Sequence, residues 1–227
     1  MLISRSRLRS LVLFVVCLLI APRVIAKQTA DFWPFSSGRT WSMEAHIGAK
    51  KITQSVTVRS LVPETDGAKY FLDYRSGAAL IQTESYLVSA RGVSRYYGGG
   101  AASLTYYTPP LPVLQYPLAP GSKWYWTGTI TAGAGGKPSQ ASAAWSATTP
   151  ETVTITTGSV SALRVHMDLT VTVNGKRSTV QDDTWYAKGI GPVRQRTSVG
   201  RATVDSVMVS SPVTPPETGT TNAGGKP

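Results

Sequence analysis

Apolar and polar side chains alternate with period two across nearly all of residues 39–210. At that spacing a β-strand sends successive side chains to opposite faces. In one segment Leu163, Val165, Met167, Leu169, Val171 and Val173 point one way, while Arg164, His166, Asp168, Thr170 and Thr172 point the other. Ile52, Val56 and Val58 alternate in the same manner with Thr53, Ser55, Thr57 and Arg59, and Ala141, Ala143, Trp145 and Ala147 repeat the pattern. One face is apolar and the other is rich in Ser, Thr and Arg, which is the signature of an antiparallel sheet with one wet face. Turn signals agree. Asn174-Gly175 after an alternating run is a strong hairpin signal, because both positions tolerate positive φ. Gly48, Asp66-Gly67, Ser76-Gly77 and residues 98–100 mark further turns. No window carries helical periodicity with caps, and the spacing predicts roughly twelve short strands.

The expected architecture is therefore all-β, with a single domain over residues 27–210. Its form is expected to be an antiparallel curled sheet or half-barrel built from two duplicated meanders, with a β-sandwich as the alternative. The duplication is read from Pro34-Phe35-x-x-Gly38-x-x-Trp41, which recurs as Pro117-Leu118-x-x-Gly121-x-x-Trp124. A second pair, Ala90-Arg91-Gly92-Val93 and Ala187-Lys188-Gly189-Ile190, follows in the same order. The pseudo-repeats span residues 31–108 and 115–210. In each, proline fixes the entry, glycine makes the turn and tryptophan anchors a strand in the core. Residues 108–120 hold Pro109, Pro110, Pro112, Pro117 and Pro120. They are expected to form a connector rather than a central strand, since proline has no N–H to give a ladder. Residues 211–227 have the composition of a disordered tail.

The first 26 residues read as a cleaved secretory signal: Arg5, Arg7 and Arg9, an apolar run over residues 11–21, then Val24 and Ala26 at the cleavage positions. The run is shorter than the roughly 20 residues a spanning helix needs. The expected location is outside the bacterial cytoplasm, in the periplasm or beyond, with membrane contact only through an uncleaved signal. Cys17 lies inside the apolar run after Val16, a poor setting for lipid attachment. Only 15% of residues are charged, against about 25% in an average soluble domain. Removing the signal takes four arginines from 23 basic residues and leaves 19 against 12 acids, a diffuse excess of +7. Such an excess favours a lipid surface or an anionic envelope polymer, and without a basic run it gives no case for nucleic acid.

Three motifs, Tyr116-Pro117-Leu118-x-x-Gly121-x-x-Trp124, Ser161-Ala162-Leu163-Arg164-Val165 and Trp185-Tyr186-Ala187-Lys188-Gly189-Ile190-Gly191-Pro192-Val193-Arg194, occur in this order. The series resembles a family of secreted or lipid-anchored bacterial β-proteins, sometimes labelled TapB-like. The resemblance covers residues 116–210 and, more weakly, 31–107. It implies an envelope location and a curled antiparallel sheet, and it brings no catalytic residues.

Chemistry-bearing residues are sparse. Arg164, His166 and Asp168 share the polar face of one strand, where an imidazole between a cation and a carboxylate resembles an oriented general base. A solvated row of alternating charge is the plainer reading. Asp182 and Asp183 are adjacent, so strand geometry sends them to opposite faces and not to one cation. His46 and His166 share no ligand spacing. The glycine-rich residues 132–138 lack a phosphate-loop pattern. No cofactor or metal is indicated. Tyr97, Tyr107 and Trp126, with Arg95, Arg164 and Arg194, are the candidate ligand-binding set. The expectation is a non-catalytic envelope protein that buries an apolar or amphipathic ligand, or a partner chain. A hydrolase using His166 and Asp168, or a purely structural envelope role, are the alternatives.

Overall fold

The computed structural model describes residues 31–100 and 103–213. Residues 1–26, read above as a signal and holding Cys17, and the residues beyond 213, read as a tail, lie outside them. Twelve strands follow in order: β1 (Thr40–Ile47), β2 (Lys50–Glu64), β3 (Gly67–Ser76), β4 (Ala79–Ser89), β5 (Gly92–Gly99), β6 (Thr105–Gln115), β7 (Lys123–Ala132), β8 (Ser139–Ile155), β9 (Gly158–Val173), β10 (Lys176–Ala187), β11 (Gly191–Val199) and β12 (Ala202–Val213). Each is antiparallel to the next, and β1 also pairs with β12, from Thr40 opposite Val213 to Ile47 opposite Val204. The sheet closes into a barrel.

This corrects the expected open curled sheet or half-barrel, and equally the sandwich. Local alternation is the same in an open and a closed meander. Closure depends on one pairing between strands more than 150 residues apart, and it removes the two unpaired edges an open sheet would expose. The face expected to be apolar turns inward: Val165, Met167, Leu169 and Val171 of β9 all face the interior. The outside carries Arg164, His166, Asp183, Arg194 and Asp205 in paired contacts, the opposite of the apolar outer band of a membrane-spanning barrel.

The proline-rich segment also differs from expectation. β6 continues through Pro109, Pro110 and Pro112. It pairs with β7 only from Thr105 to Thr108, so the prolines stand where that ladder has ended, and toward β5 they fall between register shifts. Beyond residue 108, indoles of β7 bond to β6 in place of backbone amides. Trp126 Nε1 donates to the Pro109 carbonyl at 3.1 Å and Trp124 Nε1 to the Pro112 carbonyl at 2.9 Å. β12 likewise runs on to Val213, past the expected start of the tail at residue 211.

Odd-numbered strands of the first half and their partners place the β1–β2, β3–β4, β5–β6, β7–β8, β9–β10 and β11–β12 turns at one end of the barrel, and the remaining turns at the other. At the second end the chain preceding β1 packs inward. Phe32, Trp33 and Phe35 are buried; Phe35 stacks on Trp41 at 4.6 Å, and Trp33 meets Tyr86 at 4.8 Å. Val56, Val58, Leu72, Val93, Val193 and Met208 complete a packed core there. The two Pro-x-x-x-Gly-x-x-Trp segments are built alike at this end. Gly38 and Gly121 have φ of 79° and 84°, a region glycine enters at no steric cost. Gly38 N–H donates to the Val58 carbonyl at 2.7 Å and Gly121 N–H to the Ala147 carbonyl at 2.8 Å. Trp41 and Trp124 are both buried.

Candidate functional site: a barrel cavity with a buried ion pair

The packed core fills only one end. From the middle of the barrel to the other rim runs a cavity of about 640 Å³, to which every one of the twelve strands contributes. Its deep end is bounded by Trp145, Leu111 and Tyr186, and its lining reaches Ile47 and Ile81 beside the turns of the rim. β6 to β9 supply an apolar wall, including Val113, Ile130, Met167 and Leu169.

Two polar clusters interrupt the lining on opposite sides of the barrel. The first belongs to β3, β4 and β5. Glu84, 3% exposed, accepts hydrogen bonds at Oε2 from the phenols of Tyr74 (2.6 Å) and Tyr86 (2.7 Å) and at Oε1 from Gln82 (3.1 Å). Arg95 donates from Nε and Nη2 to the Tyr86 oxygen at 3.1 and 2.8 Å, and its Nη2 lies 3.5 Å from Glu84 Oε1. Protein surrounds Arg95 on all sides, yet 23% of its side-chain surface is open because it lines the cavity. Burial alone would lower its pKa, but Glu84 and the neighbouring phenols outweigh burial and raise it, so the guanidinium stays charged. Burial, reinforced by Glu84, pushes the Tyr74 phenol well above its ordinary value. Tyr86 is also raised well above, by burial first and by Glu84, against the opposing charge of Arg95. The buried carboxylate is thus fully bonded, whereas no acceptor for Arg95 Nη1 is found among the described residues.

The second cluster belongs to β10 and β11. Asp182 accepts from Thr184 and Gln195 at 2.8 Å each and from Thr197 at 2.5 Å. Among the described residues no cation lies within ion-pair distance of it. Asp183, next in sequence, points outward to His166, so the two carboxylates do face apart.

Of the six ligand-binding candidates, the structure brings together two in the cavity, Arg95 and Tyr107. Tyr97 lies against Tyr106, ring centres 5.7 Å apart, away from the lining. Trp126 is a core residue hydrogen-bonded to β6. Arg164 and Arg194 are on the outside: Arg164 pairs with Glu151 at 3.3 Å, and Arg194 covers Trp185 while forking onto Asp205 at 2.9 and 2.6 Å. That fork holds the Asp205 carboxyl below its usual range, against the raising effect of burial. Sequence reasoning missed Glu84 and Tyr74, and considered Asp182 only as a cation ligand. The available signal was polar residues at inward positions: Glu84 shares its parity with Tyr86 and Val88, and Asp182 with Val180 and Tyr186.

The hydrolase arrangement takes a definite form. His166 Nδ1 lies 2.9 Å from Asp183 Oδ1 and Nε2 lies 3.3 Å from Asp168 Oδ2. Both ring nitrogens face carboxylates, which leaves neither directed at a hydroxyl nucleophile. Among the described residues no group of three or more His, Cys, Asp and Glu is placed to hold a metal ion.

At the cavity's rim two residue classes concentrate. Ile47, Leu80, Ile81, Val173 and Val199, each 38–49% exposed, sit at or beside its turns. The other exposed large apolar residues among the described residues are Leu61 and Val62 at the far end of β2, and Tyr125. Within two residues of the six turns stand Lys50, Lys51, Arg75, Lys137, Lys176, Arg177 and Arg201, all exposed, and no Asp or Glu.

No family model matches the chain, and no curated protein matches it. Solved structures do match, among them two crystal structures. One, from Bacteroides fragilis, is named as an exported protein with a YmcC-like fold; it is 15% identical, with TM-score 0.54, and the match covers 78% of this chain and 97% of that one. The barrel matches the YmcC-like fold. The other, from Parabacteroides distasonis, is named as a lipoprotein; it is 11% identical, with TM-score 0.52, and the match covers 80% of this chain and 98% of that one. At these identities the likeness is one of fold.

Proposed function

We propose that the chain is a bacterial envelope protein that holds an amphipathic ligand inside its barrel without transforming it. The observation that carries this reading is the buried Glu84–Arg95 pair, set in a cavity whose β6 to β9 wall is largely apolar. Its volume of about 640 Å³ falls in the range of roughly 300–1,000 Å³ usual for small-molecule sites. Hydrocarbon would be removed from water against Met167, Leu169, Ile130 and Val113, while a polar or anionic group would accept from Arg95 Nη1 beside the Tyr107 phenol. Because Glu84 already balances Arg95, the cavity orients a head group more than it selects for net charge. The envelope location draws on the names of the two matched structures, an exported protein and a lipoprotein, and on the basic and apolar start of the chain. The motif resemblance to TapB-like proteins points the same way.

Solvent extraction of the purified protein followed by mass spectrometry should release a lipid or similar amphiphile. A fluorescent fatty-acid analogue should bind in its place, more weakly in Arg95→Met and not at all in Met167→Trp, which fills the cavity. An empty extract, together with probe binding unchanged in Met167→Trp, would overturn the reading.

A further inference from the structure

We infer that the open rim of the barrel is a docking surface for an anionic lipid bilayer, with the apolar turn tips entering the head-group region and the basic collar facing lipid phosphates. Exposed valine, leucine and isoleucine beside tight hairpin turns contribute nothing to the core below them. Ile47, Leu80, Val173 and Val199 lie on the β1–β2, β3–β4, β9–β10 and β11–β12 hairpins, which are neighbours in the closed sheet, so the apolar surface forms one continuous arc along eight of the twelve strands. A surface patch of this kind marks an interaction site. The charge around it decides the partner. Seven basic side chains and no acid stand within two residues of the rim turns, and the nearest acid of β1, Glu44, is engaged by Lys51 and His46. Ile47, Leu80 and Val173 stand directly across from Lys50, Arg75 and Lys176, and such pairs suit an anionic bilayer, where the apolar side chain enters hydrocarbon while its long basic neighbour reaches a lipid phosphate. A soluble acidic polymer would satisfy the collar but leave the tips in water, and a neutral bilayer would satisfy the tips but not the collar. The inference rests on the rim alone and stands whether or not the cavity holds a ligand.

The test reads the rim directly, because the apolar run of residues 11–21 could by itself hold the full chain on a vesicle. A tryptophan is introduced by Val173→Trp, and its emission is followed with vesicles of brominated phosphatidylcholine, with and without phosphatidylglycerol. The native tryptophans, all buried, provide the baseline. The expected result is quenching of the added indole on anionic vesicles and little on neutral ones. Lys50→Glu, Lys176→Glu and Arg201→Glu together should weaken it by on the order of a hundredfold. In the Val173→Trp background, Ile47→Ser, Leu80→Ser and Val199→Ser together should abolish it with melting temperature unchanged. No quenching on anionic vesicles overturns the inference. So does quenching that the serine substitutions leave intact, as does capture of an acidic polysaccharide that is equally strong with and without them, since either result would assign the rim to charge alone.

Discussion

The two ends of the barrel are made from the same alternating strands and differ in almost everything that decides function. At one, Phe32, Trp33, Phe35, Trp41 and Trp124 pack the interior, and a smaller pocket of about 490 Å³ lies beside Phe32, against Leu118, Val160 and Leu163. The five turns there carry Lys and Arg (Arg91, Lys123, Lys188) beside Glu64 and Asp66 within two residues of their loops. At the other the interior is open, exposed apolar side chains flank four of the six turns, and Lys or Arg stands beside five of them with no acid. The difference follows from side-chain volume and from the chain preceding β1. Tryptophan and phenylalanine close a twelve-stranded barrel where they cluster, and where valine, threonine and glutamine face inward the same circumference leaves a cavity. The aromatic core is thereby lodged at one end and the larger open volume at the other.

That division breaks most readily at Trp124. Truncation by Trp124→Ala removes a buried indole and the hydrogen bond that joins β7 to β6, and it should cost about 3–5 kcal/mol. The same truncation at the rim, Val173→Ala, should change stability by no more than about 0.5 kcal/mol. Chemical denaturation of both variants checks the contrast, and comparable losses at the two sites would end it. A smaller effect is expected at the boundary between the two regions. Glu84→Leu leaves Arg95 unpaired and should cost about 3 kcal/mol, whereas Glu84→Leu with Arg95→Met should recover most of that loss. Equal destabilisation in the single and double variants would show that the pair does not act as a unit. The least effect at neutral pH, and the one that sharpens the comparison in alkali, concerns the phenols. Tyr74, Tyr86 and Tyr186 all titrate above the ordinary value of 10.0 in the folded chain, chiefly through burial. Their protons are therefore held in the fold and released on unfolding above pH 10 or so, so stability is complete below that pH and declines as pH rises toward the folded values. Denaturation midpoints measured from neutral to alkaline pH should fall, and Tyr74→Phe should flatten the decline.

Much of the wall was legible in the sequence. The inward face of β9 follows from alternation alone, as does the Asn174-Gly175 turn, where φ values of 50° and 76° are those its residues favour. The burial of Trp41 and Trp124 follows from their place on strand openings, since an indole on an inward strand face is core. The site was less legible. Arg95 and Tyr107 were found by residue type, but the same criterion chose Arg164 and Arg194, whose partners Glu151 and Asp205 bind them on the outside. Residue type does not encode facing, and β4 to β6 contain register shifts that displace the simple parity count.

What the sequence determines by itself is period, turn positions and the strand character of the segments between the turns, because these depend on side chains and backbone dihedrals a few residues apart. Whether the meander stays open or closes was decided only in three dimensions, by the pairing of β1 with β12. A sheet's curvature sums twist and register over all twelve strands, and no local segment contains that sum. Closure in turn created the cavity. It enclosed the Glu84–Arg95 pair, which the β4–β5 hairpin by itself brings together, and gathered tips from separate hairpins into one rim, because only a closed surface has an inside and a mouth.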